Sequence, residues 1–132
     1  MRRVLSMLLV LLACTTGTRA QCVIYGCKAT GAWGTGYNEA KIVTIKECEA
    51  FALDKCKTSG GTDCKLLSQS KKIGWWAVIA TRRASSPAIF DIAEAKPTKE
   101  AAEAEARRLY KAHGGTNPMV KVTSWQVFGN HN

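Results

Sequence analysis

The chain has 132 residues, of which 46% are hydrophobic and 22% charged, and its formal net charge is +9. A chain of this length makes one domain with a modest core, which excludes a multidomain architecture. Beyond the N-terminal segment no apolar run approaches the length that spans a bilayer, so we expect no transmembrane helix.

The N-terminal segment has the three parts of an export signal. A short cationic start is followed by an apolar run of ten residues and then by a small, polar region that ends at Ala20. The run is too short to span a bilayer, and Thr18 and Ala20 satisfy the small-residue rule for cleavage. We therefore predict a signal peptide over residues 1–20 and a secreted or periplasmic domain over residues 21–132.

A lipoprotein is the alternative to ordinary cleavage. The tetrapeptide LLAC at residues 11–14 resembles a bacterial lipobox, in which Cys14 would be the lipidated residue. A leucine directly before the alanine is uncommon in that motif, and the signal would be very short. Cleavage after Ala20 is therefore our prediction, and an envelope anchor through Cys14 is the alternative.

The predicted mature chain is basic and has an odd number of cysteines. Loss of three arginines with the signal leaves 16 Lys and Arg residues against 10 Asp and Glu residues, a net charge of +6. Five of the six cysteines remain. Small exported domains commonly add disulfides to a modest core. At most two bridges can close within one chain, so one thiol is left over.

The first half of the mature chain predicts two strands, a helix and a third strand. The strand segments are residues 22–29, 31–38 and 64–70. Thr44 and the glutamate three residues later form a capping box at the start of the helix, and a Gly-Gly pair supplies the left-handed residue that ends it. Residues at steps of three and four give this helix one buried face: Ile45, Cys48, Ala52 and Cys56.

The second half predicts the same order of elements. Its strand segments are residues 73–83, 86–93 and 119–128. Thr98 can cap the helix, and a second Gly-Gly pair ends it. The buried face of this helix is rich in alanine and ends at His113, so the helix can approach a sheet closely.

The two halves indicate an internal duplication. At a shift of 54 residues the cap Thr44 falls on Thr98, and the triplet Gly-Gly-Thr after the first helix falls on the same triplet after the second. The repeats cover about residues 22–70 and 73–128. We predict an α+β domain in which six strands form an antiparallel or mixed sheet covered by two helices.

Three segments resemble the bacterial family known as domain of unknown function 4189: GWWAVIA at residues 74–80, TKEAAEAEARRL at residues 98–109 and GGTDCKLL at residues 60–67. The resemblance covers about residues 22–128. It implies a small exported protein with duplicated halves and with cysteine pairs that join a helix to a strand, and it brings no assigned activity. This chain departs from that pattern in its second half, where Tyr110 and Pro118 replace Cys56 and Cys64.

Helix geometry limits how the cysteines can pair. Cys48 and Cys56 lie eight residues apart on one helix, roughly 12 Å of rise, whereas a disulfide needs Cα atoms within about 7 Å. Cys56 lies in the last turn and Cys64 opens the returning strand, so we predict a bridge between them. We predict a second bridge between Cys27 and Cys48, which leaves Cys22 as the unpaired thiol. The alternatives for Cys22 are a free thiol, a capped thiol and the link of a disulfide-bonded dimer. A buried free thiol is the alternative for each cysteine.

The sequence contains no recognisable catalytic or metal-binding pattern. It has no Cys-x-x-Cys pair, and its two histidines are His113 on a helix and His131 in the C-terminal tail. A Cys–His catalytic pair would need Cys56 or Cys64 beside His113, and export favours a disulfide instead. The glutamates of the two predicted helices are explained by solvated faces; they are Glu47, Glu49, Glu100, Glu103 and Glu105. We therefore predict no catalysis, no cofactor and no metal.

The best candidate for a binding surface is the strand at residues 73–83. Trp75 and Trp76 are adjacent, so they face opposite sides of the strand and one is expected outside the core. An exposed tryptophan beside basic residues suits a protein interface or an anionic envelope component, and export makes nucleic acid a poor partner. Burial of both indoles is the alternative. The flanking basic residues are Lys71, Lys72, Arg82 and Arg83.

These patterns together predict an exported, non-catalytic domain that binds a protein or another envelope partner, in the manner of an inhibitor or an immunity protein. An enzyme of unrecognised class and a structural envelope protein are the alternatives. A polar cleft that holds several ionisable side chains would favour the enzyme. A flat, aromatic and basic surface would favour the binding protein.

Overall fold

The computed structural model describes residues 21–37, 44–82 and 86–128. The predicted signal peptide, the lipidation alternative at Cys14 and the side chain of Arg83 lie outside these residues. Within them the chain has the order strand, strand, helix, strand, and then the same order again, as the duplication predicted. The elements are β1 (Cys22–Gly26), β2 (Trp33–Tyr37), α1 (Ile45–Thr58), β3 (Lys65–Ser70), β4 (Gly74–Thr81), β5 (Ile89–Lys96), α2 (Lys99–Ala112) and β6 (Thr123–Val127).

Each half of the domain forms its own three-stranded sheet. The first sheet has the order β2-β1-β3 and the second has the order β5-β4-β6, so the halves share one topology. Every strand pair is antiparallel. The predicted α+β class is confirmed, and the six strands divide between two sheets because each central strand is paired on both sides within its own half.

The two sheets pack face to face around a shared core. Ile24 of β1 and Trp76 of β4 have no exposed surface and lie in one cluster with Trp125 of β6. The Trp125 ring is stacked at 6.1 Å from Trp33, at 6.1 Å from Tyr37 and at 6.4 Å from Trp76. Large aromatic surfaces from both halves therefore fill the space between the sheets.

Each helix covers the outer face of its own sheet. Cys48 and Ala52 of α1 pack with Val23 of β1, and Ala106 of α2 packs with Ala77 of β4. The layers therefore follow the order α1, first sheet, second sheet, α2. Among the described residues no helix combines the length and the apolar character needed to cross a membrane.

Both helices begin at the predicted threonine caps. The Thr44 hydroxyl accepts a hydrogen bond from the Glu47 amide at 3.1 Å, and the Thr98 hydroxyl accepts one from the Ala101 amide at the same distance. The Thr44 hydroxyl also donates to the Glu47 carboxylate at 2.9 Å. These bonds satisfy amides that have no partner within the first helical turn.

Helix α1 lies unusually close to β2. A Cβ atom added to Gly34 or Gly36 would overlap the α1 backbone, at Ala52 and at Cys48 respectively. The glycines of the segment Gly-Ala-Trp-Gly-Thr-Gly therefore allow a helix to rest directly on a strand. This agrees with the strand predicted over residues 31–38, of which the structure forms Trp33–Tyr37.

Candidate functional site

Cys56 and Cys64 form the predicted disulfide. Their Cα atoms are 6.3 Å apart, within the range that a bridge needs. Cys56 lies in the last turn of α1 and Cys64 directly precedes β3, so the bridge joins the end of the helix to the start of the returning strand. The equivalent positions of the second half, Tyr110 and Pro118, cannot form such a bridge.

The predicted bridge between Cys27 and Cys48 is wrong, because both are free, buried thiols. Cys48 packs with Val23 near the start of β1, whereas Cys27 follows the end of that strand and shares a cluster with Cys56. Cys27 lies four residue steps beyond Val23, about 13 Å of rise, which is too far for a bridge. The helix therefore brings Cys56 to Cys27 and leaves Cys48 at the other end of β1.

Cys22 is unpaired, as predicted, but it is not available to a second chain. Its side chain has no exposed surface and lies in the core between the two sheets. Burial raises the pKa of its thiol to about 12, against the opposing effect of a hydrogen bond to Thr35. A buried, protonated thiol is inert, so the dimer alternative for Cys22 does not fit this fold.

The two adjacent tryptophans of β4 face opposite sides of the strand, as predicted. Trp76 is fully buried between the sheets, and Trp75 packs, partly buried, against the cluster beneath α2. Trp75 therefore lies outside the fully buried core, but it is partly covered and not a freely exposed indole. Trp75 is covered because α2 packs on that face of the sheet.

The basic residues of the predicted surface lie apart. Lys71 and Lys72 are exposed before the start of β4, and Arg82 is exposed just after its end. The eight residues of β4 separate the two ends by about 26 Å. Arg83 lies outside the described part of the chain. These side chains do not form one patch, and Arg82 instead borders a cavity.

This cavity has a volume of about 460 Å³. The ends of β4 and β5 form one wall, and the last turn of α2 with the Gly-Gly turn after it forms the other. Four of the side chains are ionisable, so the cavity is a polar cleft. The lining residues are Thr81, Arg82, Ile89, Asp91, Tyr110, His113, Gly114, Gly115 and Thr116.

Asp91 and His113 form a hydrogen-bonded pair in the cavity. His113 Nδ1 lies 2.5 Å from Asp91 Oδ1. The Asp91 side chain is fully buried, whereas 53% of the His113 side chain is exposed. Asp91 Oδ2 is buried and has no hydrogen-bond partner among the described residues. Because Asp91 occupies Nδ1, Nε2 is the ring nitrogen left for a bound group.

The turn that carries His113 is fixed to the end of α2. The His113 amide donates to the Leu109 carbonyl at 3.0 Å, and the Gly115 amide donates to the Tyr110 carbonyl at 2.8 Å. The Tyr110 hydroxyl accepts a hydrogen bond from the Asn117 amide at 3.0 Å. These bonds limit the movement of the imidazole, so the cavity wall is preorganised.

A second cavity of about 200 Å³ adjoins the first. The two share part of their lining, including Tyr110, and the second is also lined by the exposed residues Arg107 and Lys111. The cations Arg82, Arg107 and Lys111 thus line the two cavities. Among the described residues that line them, Asp91 is the one carboxylate. The combined site therefore favours an anionic ligand.

Aromatic residues line a separate groove of about 350 Å³ on the first half. Trp33 and Tyr37 of β2 form one side, and Phe51 and Lys55 of α1 form the other. Lys55 Nζ lies 5.4 Å from the centroid of the Phe51 ring, within cation–π range. An aromatic and basic surface is therefore present, but it lies on the first sheet and not on β4.

Sequence reasoning missed the pairing of Asp91 with His113. It placed His113 on the buried face of α2 and considered it only as a partner for Cys56 or Cys64, which lie in the other half of the domain. A signal was nevertheless present, because Asp91 interrupts an apolar strand segment and aspartate is disfavoured in strands.

Comparison with protein-family models, with curated proteins and with solved structures gives no match for this chain. Within residues 21–37, 44–82 and 86–128 no group of three or more His, Cys, Asp or Glu side chains is placed to hold a metal ion. The side chains of the cavity can bind an anion through Arg82 and His113, and the imidazole can also accept or donate a proton.

Proposed function

We propose that the protein is an exported binding domain that holds an anionic group of its partner in the cavity beside Asp91 and His113. One observation carries this proposal: the half-exposed His113 ring is fixed by a fully buried carboxylate in a cavity that Arg82 also lines. The signal pattern over residues 1–20 supports export. The disulfide of the first half also supports it, because disulfides persist in oxidising compartments.

The donors of the cavity match a carboxylate or a phosphate group. The guanidinium group of Arg82 presents N–H donors in a planar fork, which suits the two oxygens of such groups. In its imidazolium form His113 donates Nδ1–H to Asp91 and offers Nε2–H as a second donor at the opposite wall. Arg107 and Lys111 extend the positive charge into the adjoining cavity, so an acidic segment or an anionic polymer could occupy both.

The partner that suits this site best is an acidic protein, in keeping with an inhibitor or an immunity protein. Its aspartate or glutamate side chain would enter the cavity, while the basic surface around it would steer the encounter. An anionic envelope component is the alternative partner. The family resemblance proposed from the sequence is compatible with this function and adds no activity to it.

Acid–base catalysis is the second candidate function. From the sequence, a polar cleft with several ionisable side chains was the feature expected of an enzyme, and the cavity has four such side chains. A histidine oriented by a buried aspartate is also the arrangement of a general base. Among the described residues no serine or cysteine lines the cavity, so the nucleophile there would have to be a threonine hydroxyl or water. Binding is therefore the function we propose first.

Titration of the mature protein, followed by NMR, tests the proposal with two probes: a glutamate-rich peptide and inorganic phosphate. The His113 ring signals should shift on binding, and Arg82→Gln with His113→Gln should weaken the affinity at least tenfold. The matched control is Lys71→Gln with Lys72→Gln, which removes two basic side chains from the opposite end of β4 and should leave the affinity unchanged.

Two outcomes would change this conclusion. Equal weakening by both pairs of substitutions would show that net charge alone attracts the probes, and the cavity would lose its role. Chemical turnover of a probe that disappears in His113→Gln would favour catalysis over binding.

A further inference from the structure

Three cysteines gather at the end of α1. Cys27 and Cys56 have no exposed surface and share a buried cluster, and Cys64 packs against it with part of its surface exposed. One turn covers all three. A Cβ atom on Gly61 would collide with both sulfur atoms of the disulfide, and Thr62 Oγ1 lies 3.8 Å from Cys27 Sγ. A free thiol and a disulfide therefore lie together in one enclosed site.

Cys27 differs chemically from the other two free cysteines of the described chain. Hydrogen bonds from the Thr30 side chain and from the backbone amide of Asp63 lower the pKa of its thiol to about 6, although burial opposes this. Burial raises the pKa of Cys22 to about 12 and that of Cys48 to about 11. The thiolate is the attacking form in thiol–disulfide exchange, so Cys27 is the free cysteine suited to attack.

We propose that Cys27, Cys56 and Cys64 form a thiol–disulfide exchange centre that moves the bridge into the core and releases a reactive thiol at Cys64. The Cys27 thiolate attacks Cys56 Sγ and a bond forms between these sulfur atoms. The bond between Cys56 and Cys64 breaks, and its electron pair leaves with Cys64 Sγ, which then takes up a proton. One disulfide replaces another, so the step needs no external oxidant or reductant.

The direction of the exchange follows from exposure. Cys56 is fully buried and Cys64 is partly exposed, so water can solvate the departing thiolate only at Cys64. The new bridge would join the end of β1 to the end of α1 inside the core. The released Cys64 thiol, once deprotonated, can attack a disulfide of a second molecule; that S–S bond breaks, its other sulfur leaves as a thiolate, and Cys64 is joined to the partner through a mixed disulfide.

The three cysteines belong to the first half of the domain alone. At the shift of 54 residues none of them has a cysteine as its equivalent, and the second half has lost the free thiol together with both members of the bridge. The equivalents of Cys27, Cys56 and Cys64 are Thr81, Tyr110 and Pro118.

Peptide mapping of the mature protein tests the exchange. The protein is incubated at pH 8 with oxidised glutathione, unfolded at acidic pH to stop exchange, and labelled with a maleimide. We expect a fraction of molecules with a bridge between Cys27 and Cys56 and with glutathione on Cys64. Recovery of Cys27 always as a free, labelled thiol, with Cys64 always bridged to Cys56, would overturn the proposal.

A variant provides a second test that does not depend on the exchange rate. Cys64→Ser frees Cys56, and mild oxidation should then close a bridge between Cys27 and Cys56 in the folded protein. The control Cys27→Ser with Cys64→Ser should retain a free Cys56 under the same conditions. Near-ultraviolet circular dichroism of the stacked tryptophans reports whether each variant is folded. A folded Cys64→Ser protein with both thiols free after oxidation would also overturn the proposal.

Discussion

Asp91 occupies in the second half of the domain the position that Gly34 occupies in the first. Gly34 is paired with Tyr25 across the strands, Asp91 is paired with Ile79, and Tyr25 and Ile79 are equivalent at the shift of 54 residues. Where glycine stands, α1 rests directly on the strand. Where aspartate stands, a carboxylate fills the space beneath the end of α2 and bonds to His113. The cavity is therefore a product of divergence between the two halves.

The close contact at Gly34 predicts a large cost for a single added methyl group. Gly34→Ala would push its Cβ atom into the α1 backbone at Ala52, which can yield only if the helix shifts. We expect urea denaturation to show a loss of about 1–3 kcal/mol in the free energy of unfolding. Gly26→Ala is the control, because its Cβ atom would meet only the ends of the Leu67 and Phe90 side chains. Equal losses in the two variants would contradict this explanation.

The pair of Asp91 and His113 predicts non-additive effects on stability. His113→Ala leaves Asp91 buried without a partner, which should cost about 1–3 kcal/mol in the free energy of unfolding. Asp91→Ala with His113→Ala should cost clearly less than the two single substitutions together. Urea denaturation of the four proteins gives the coupling energy as a double-mutant cycle.

An ion pair on α2 provides a control for this double-mutant cycle. Glu105 and Arg108 form an exposed ion pair at 2.5 Å, for which the expected coupling is only about 0.2–1 kcal/mol. A coupling between Asp91 and His113 that is no larger than this would show that the buried carboxylate does not depend on the imidazole.

Local signals in the sequence were sufficient for the secondary structure and for one bridge. The caps at Thr44 and Thr98 and the bridge between Cys56 and Cys64 each depend on residues less than ten positions apart. The duplication then indicated that each half repeats the same order of elements. These features could be predicted because the interactions that form them are short in sequence.

Features that depend on how a helix lies along a strand could not be predicted in the same way. The bridge between Cys27 and Cys48 was wrong because periodicity identifies the buried face of α1 but not which turn lies over which residue of β1. The rise along α1 from Cys48 to Cys56 nearly equals the rise along β1 from Val23 to Cys27. Length alone therefore does not decide which of the two α1 cysteines lies beside Cys27. The pair of Asp91 and His113 was missed for a related reason, since it forms between a strand and a helix end 22 residues apart.

The buried thiols of Cys22 and Cys48 predict a loss of stability at alkaline pH. Burial raises the pKa of Cys22 and of Cys48 above the ordinary value of 9.0, so the unfolded chain releases these protons first as the pH rises. The contribution of these two protonated thiols to the free energy of unfolding is complete below about pH 9 and is lost as the pH rises towards 11 to 12. We expect Cys22→Ala with Cys48→Ala to reduce the fall in unfolding free energy between pH 8 and about 10.5. If this variant and the unsubstituted protein showed the same slope of unfolding free energy against pH, Cys22 and Cys48 would not be buried, protonated thiols.

Cys27 predicts the opposite pH dependence. Its pKa is lowered from 9.0 to about 6 in the folded protein, so its contribution is complete above pH 9 and is lost as the pH falls through 6. Cys27→Ser should therefore flatten the rise of unfolding free energy between pH 6 and 9, measured by urea denaturation without reductant. Cys48→Ser is the control and should leave the slope in this window unchanged. A Cys27→Ser slope equal to that of the unsubstituted protein would rule out a thiolate in the folded state.

Substitution of each tryptophan of β4 tests whether this strand has a structural role or a binding role. Trp76 is fully buried and stacks on Trp125, so Trp76→Ala should cost about 3–5 kcal/mol in the free energy of unfolding. Trp75 is only partly buried beneath α2, so Trp75→Ala should cost less and leave the fold intact. Because the cavity at Asp91 and His113 is the proposed site, Trp75→Ala should also bind the glutamate-rich peptide as the unsubstituted protein does. If folded Trp75→Ala protein bound the peptide at least tenfold more weakly, the strand surface predicted from the sequence would replace the cavity as the binding site.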